Sequence, residues 1–178
     1  VTIHLEQVQD SEYHRQVFKF PFSFRLIFED GQTIDKTVWM DRSRQDFTLS
    51  IDRKPAVILF NTQNQLLCEI DTDFTADQWA LIYQYSDDVT AQYQALTSLA
   101  VTSGLEYVFE DARQHELWQF RSIGLSNLIS LTDNIAESSL KKMDEEDRHP
   151  LIRARAMRIL ARSGKLNESL VVSRLQQD

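Results

Sequence analysis

With one cysteine, Cys68, the 178-residue chain can form no intrachain disulfide, and a lone cysteine assigns no compartment. Positive charge is scarce too: 19 Lys and Arg stand against 27 Asp and Glu, a net charge of −8. That balance argues against nucleic acid as the main partner, because neutralising phosphates needs a basic surface. No apolar run approaches the ~20 residues of a membrane span, so no membrane partner is expected. Four Gly and a 42% hydrophobic content exclude a disordered chain, and the length suffices for one good core or two small ones. There is no Gly-rich phosphate loop, and no Ser/His/Asp grouping follows from spacing. The chain opens inside a strand-like run with no initiator methionine, so we expect a fragment of a longer protein.

What is abundant is phenylalanine in alternation. Phe18, Phe20, Phe22, Phe24, Leu26 and Phe28 occupy every second position of VFKFPFSFRLIFEDG. Strand side chains point alternately to opposite faces, so this spacing predicts a strand with one apolar face. Asp30-Gly31 supplies two residues that tolerate the positive φ of a tight hairpin turn. The return strand is expected over 33–40, with Ile34, Val38 and Met40 on one face and Trp39 on the other.

Alternation recurs around this hairpin. Val1, Ile3 and Leu5 predict a first strand, a polar connection follows over 10–15, and Phe47, Leu49 and Ile51 predict another strand. Pro55 opens a run, 56–61, that is apolar on both faces and suits a strand buried on both sides. Residues 61–64 have turn chemistry, and 66–71, which contains Cys68, reads as a sixth strand. Six short strands at such spacing predict an antiparallel β-sandwich.

The period changes at Asp73. Thr75 is a good N-cap, and Trp79, Ile82 and Tyr83 fall at helical spacing. The rest is helical in pattern, punctuated by Gly104, Gly124 and Gly164, with Pro150 opening a late helix. One pattern occurs three times, at offsets of 29 and 32 residues: Ala91-Gln92-x-x-Ala95-Leu96-x-x-Leu99, Phe120-Arg121-x-x-Gly124-Leu125-x-x-Leu128 and Ile152-Arg153-x-x-Ala156-Met157-x-x-Leu160. Small residues let helices approach closely while large ones bury against the next pair, as in an α-solenoid. The expected fold is therefore α+β in two domains, a β-sandwich over 1–72 and a solenoid of HEAT-like helix pairs over 73–178. The stripe Leu170, Val171 and Leu175 after the third copy is too short for a polar cap. The isolated chain is accordingly expected to self-associate weakly through its helical half.

Chemistry-bearing residues are few. His115-Glu116-Leu117-Trp118-Gln119 approaches a zincin helix, but zinc needs His at i and i+4, and Gln119 is a poor ligand. The plainer reading is a helix start with a buried Trp118. His4, His14 and His149 read as surface histidines. Arg148, Arg153, Arg155, Arg158, Arg162 and Lys165 form a basic run, in which Arg155, Arg158 and Arg162 share a helix face. That face could receive an acidic peptide end or partner, although a solvated face paired with Asp144-Glu145-Glu146-Asp147 is the simpler reading. Asp87-Asp88 and Glu110-Asp111 read as charges at helix N-termini.

Taken together, LEQVQ, FKFPFSFRLIFEDG and DFTLSIDRKPAVILFNTQNQLL resemble the β-sandwich domain of the aminopeptidase N family of zinc metallopeptidases. DDVTAQYQALTSLA resembles the start of that family's helical C-terminal domain, and HPLIRARAMRILARSG is similar to one of its HEAT-like repeats. The matching points are Gln9, Pro21, Gly31, Pro55 and Leu67, none of them catalytic. The family's HExxH helix with its distant Glu, and its GAMEN loop, belong to an upstream catalytic domain and are absent here, so no catalytic or metal residue carries over. The resemblance implies a non-catalytic region that bridges the catalytic domain to a helical domain limiting substrate access. It places zinc in the parent's catalytic domain, with no cofactor in this fragment. The partners implied are that upstream domain and the peptide substrate. A scaffold of the same layout without peptidase chemistry, and an unrelated sandwich-plus-solenoid binding module, are the competing readings.

Overall fold

The computed structural model describes residues 1–8, 17–62, 65–68, 70–100, 102–131 and 137–164. The 10–15 connection, His14, Lys165 and the 166–177 segment lie outside them. The fold is α+β. The strands are β1 (Thr2–Glu6), β2 (Phe20–Ile27), β3 (Thr33–Met40), β4 (Arg44–Thr48) and β5 (Val57–Phe60). The helices are α1 (Ala76–Tyr85), α2 (Val89–Ser98), α3 (Glu106–Ala112), α4 (Trp118–Leu131), α5 (Glu137–Glu146) and α6 (Pro150–Arg162). Two compact units divide the chain, Val1–Ser98 and Leu99–Asp178. Division by packing thus falls after α2, whereas the change from strand to helix falls before α1.

In the first unit, β1 pairs antiparallel with β4, and β2 lies between β3 and β5 in a second antiparallel sheet. Alternation holds through the second half of β2 and one residue past it: Phe24, Leu26 and Phe28 are buried, with Phe22 packed beside them, whereas Phe20 is half-buried and outside this cluster. Ile3, Leu5, Phe47, Leu49 and Ile51 join the same cluster, so both sheets feed one apolar core. Phe18, ahead of the strand, is 50% exposed and lies outside it. The other face of β2 is covered as well. Ser23, Arg25 and Ile27 are buried, and α1 packs on β2 and β5.

The hairpin turn is one residue longer than the two-residue loop expected. The Phe28 amide donates to the Gln32 carbonyl (3.0 Å) and the Gly31 amide to the Phe28 carbonyl (2.9 Å). Only Gly31 takes positive φ, at 83°. Asp30 instead accepts from the Gln32 amide with its carboxylate (3.1 Å). A side chain at Gly31 would also collide with the ring of Tyr85, the last residue of α1.

No strand forms among the described residues of 66–71, and Cys68 is exposed. The cause lies at Asn61, which adopts φ 52°. Its side chain accepts from the Leu66 amide (3.0 Å) and donates to the Leu66 carbonyl (2.8 Å). Those bonds take up the Leu66 backbone groups that a ladder would use.

Thr75 caps α1 through a capping box with Gln78. Helices pair as α1 with α2, α3 with α4 and α5 with α6. Each copy of the sequence pattern lies on the second helix of a pair. Its small residue is buried every time: Ala95, Gly124 and Ala156. Its polar position has a shared task. Gln92 donates to the Tyr83 carbonyl (3.2 Å), Arg121 to the His115 carbonyl (2.8 Å) and Arg153 to the Asp147 carbonyl (2.9 Å). Each long side chain thus ties its helix to the backbone just before it. Gly124 is not punctuation. It sits inside α4, where a Cβ would strike the Arg113 amide and the Phe109 carbonyl. Its role is close approach, not a break. In the second unit, Leu125, Leu140, Met143, Ile152, Ala156 and Leu160 make one core from α4, α5 and α6.

Candidate functional site

A dense polar grouping lies where α4 and α6 begin. Arg121 donates through Nε to Asp147 Oδ2 and through Nη2 to Asp147 Oδ1, both at 2.8 Å. The pair is well shielded, with Arg121 12% and Asp147 7% exposed. Arg121 Nη1 also donates to the carbonyls of His115 (2.8 Å) and Glu116 (2.6 Å). Asp147 Oδ1 accepts from the His149 amide at 2.8 Å. Burial raises the Asp147 carboxyl, but the Arg121 bond, the His149 amide and the neighbouring charges outweigh it and hold the group below its ordinary range.

Two aromatic stacks frame this network. His115 lies on Phe120 with ring centroids 4.3 Å apart, and His149 lies on Trp118 at the same separation. His115 precedes α4 and Gln119 falls in its first turn, so the two do not form one helical zinc face. His115 Nδ1 already accepts from the Leu117 amide (3.1 Å). These residues do not fit a zinc ion, and among the described residues no group of three or more His, Cys, Asp or Glu could hold one. His149 is not a plain surface histidine either. It is half-buried and caps α6, with Pro150 in the first turn. His4 is exposed and bonds Asp46 (2.7 Å).

The three arginines expected to share a face of α6 have different surroundings. Arg155 is half-buried and donates to Ser122 Oγ of α4 (2.6 Å). Arg158 and Arg162 are exposed and, among the described residues, are in no ion pair. Of the expected acidic helix-start charges, Asp88 behaves as such, accepting from the Thr90 amide (2.8 Å) and the Ala91 amide (3.3 Å). Asp87 is diverted to Arg25. Glu110 and Asp111 lie near the end of α3, where Glu110 pairs with Arg113.

Sequence reasoning missed Arg25. Its guanidinium is buried in β2, with Nε donating to Asp35 Oδ1 (2.6 Å), Nη2 to Asp35 Oδ2 (2.7 Å) and both terminal nitrogens reaching Asp87. Asp35 first and Asp87 second raise its basicity further, and the Arg25 bond in turn lowers the Asp87 carboxyl. The available signal was a cation set between apolar residues of one strand. The first unit also has a cavity of about 160 Å³, with Phe60, Asn61, Cys68, Phe74, Trp79 and Asp88 in its wall.

No protein-family model matches the sequence, and no curated protein matches it. Among solved structures, the chain is similar to aminopeptidase A of Legionella pneumophila in complex with aspartic acid, with a TM-score of 0.48 and 16% identity. That similarity covers 84% of this chain and 19% of the other, so the chain spans about a fifth of that protein's length.

Proposed function

We propose that this chain is a non-catalytic C-terminal region of an aminopeptidase N-like zinc metallopeptidase. In this reading the two sheets form the bridging β-sandwich, and the helix pairs begin a HEAT-like array that shapes substrate access. Zinc and bond cleavage belong to the parent's upstream catalytic domain, which is also the partner of this region. The exposed Arg158 and Arg162, beside Arg155, offer that array a face for an acidic group of a peptide. The weak self-association expected of the isolated chain would arise because apolar side chains of the helical half, such as Leu151, are left exposed.

The observation that carries the reading is the order of parts. The segments resembling the family's sandwich form the sheets. After them come three helix pairs whose second helices bury the same small-residue pattern. Translating the parent gene upstream of Val1 tests it directly. HExxH followed by a Glu on a later helix, and zinc-dependent release of an aminoacyl chromophore by the parent, are expected. A parent without that motif would leave a scaffold. About one tightly held zinc per chain in the isolated region would overturn the non-catalytic assignment.

A further inference from the structure

Two histidines make the same bond at the starts of two helices. His115 Nδ1 accepts from the Leu117 amide (3.1 Å) just ahead of α4, and His149 Nδ1 accepts from the Leu151 amide (3.3 Å) as the cap of α6. Stacking on Phe120 and Trp118 fixes the plane of each ring. Neutral imidazole has one bare nitrogen to offer, and the protonated ring has none. A proton on Nδ1 removes the acceptor and sets a positive charge where a helix already carries partial positive charge.

We propose that the Nδ1 bonds of His115, ahead of α4, and of His149, the cap of α6, form an acid-sensitive pair, whose protonation loosens the starts of α4 and α6 together. Arg121 couples them, since it donates to the His115 carbonyl and holds Asp147, which accepts the His149 amide. Charged groups surround both rings. Facing His149 are Asp147, both of whose oxygens are engaged by Arg121, together with Arg121 itself, Arg153 and the adjacent Arg148. Beside His115 are Glu116 and Arg121. On α3 and α5, Glu110 pairs with Arg113 and Lys142 with Glu146, and Asp111, Asp144 and Glu145 are further acids of those elements.

Amide hydrogen exchange on the whole chain, corrected for intrinsic rates, tests this between about pH 7.5 and about pH 5.5, the range of histidine titration. Protection at Leu117 and Leu151 is expected to fall in step, each by about fivefold, the scale of a lost cap. Protection at Phe24 and Leu26 in β2 should hold. The double variant His115→Asn/His149→Asn keeps a side-chain oxygen acceptor that does not titrate, and the fall should vanish in it. Unchanged protection at Leu117 and Leu151 in the parent sequence, or an equal fall in the double variant, would overturn the proposal. Should the variant not fold, the parent sequence decides alone: a fall confined to the two helix starts supports the device, and a uniform fall overturns it.

Discussion

Phe24 has no exposed surface and sits where both sheets of the first unit meet. Phe24→Ala should cost roughly 3–5 kcal/mol in denaturant unfolding, the scale of a buried Phe truncation. Phe18→Ala, at a half-exposed position ahead of the strand, should change stability by under about 1 kcal/mol. The difference between the two was only half legible in the sequence. Period-two alternation shows which residues share a face, but not where along the run the partner sheet ends. Arg25 was illegible for another reason: its second carboxylate lies 62 residues on, at Asp87. Asp87 is held below its ordinary carboxyl range by that bond, so pairing stabilises the fold above about 3.8 and fades as pH falls through and below that value. Asp87 is largely exposed, so Asp87→Asn should cost under about 1 kcal/mol at neutral pH. The gap between the two proteins should close on acidification, as followed by urea midpoints at successive pH values. A gap that widens would mean that Asp87 does not act through its charge.

At the scale of elements, caps were readable where a short polar side chain bonds its own backbone. Thr75 with Gln78, and Pro150 in the first turn of α6, mark their helices without help from tertiary structure. The α3–α4 corner was not readable, because its logic is contact between backbones. A glycine inside a helix normally weakens it by about 1 kcal/mol against alanine. Gly124 sits against the Arg113 amide and Phe109 carbonyl, where a methyl group has no room. Gly124→Ala should therefore destabilise the second unit by roughly 1–3 kcal/mol instead of stabilising it, as an overpacked core does. Thermal unfolding of the variant checks this, and a raised midpoint would show that α3 can yield. The sixth strand failed for a related reason. Its apolar letters suit a ladder, but Asn61 takes the Leu66 amide and carbonyl for itself.

For the molecule as a whole, composition and period together were enough to read strands first and helices after. They were not enough to say which helices belong with the sheets. α1 packs on β2 and β5, Gln78 Nε2 donates to the Ala56 carbonyl (2.8 Å), and Asp87 reaches back to the buried Arg25. A piece ending at Thr72 loses all three, leaving one face of the central sheet bare and a buried guanidinium short of a carboxylate. A piece ending at Ser98 keeps them. Residues 1–98 should give a cooperative unfolding transition and residues 1–72 should not, as read by near-ultraviolet circular dichroism. Equal cooperativity in the two would show that α1 and α2 are passengers. The same feature sets what can be exchanged between proteins. A graft or natural recombination event that joins at the last strand carries a sheet without its lid, whereas one that joins after α2 moves a self-sufficient cassette. The hereditary unit of this architecture is therefore the sheets together with their first helix pair.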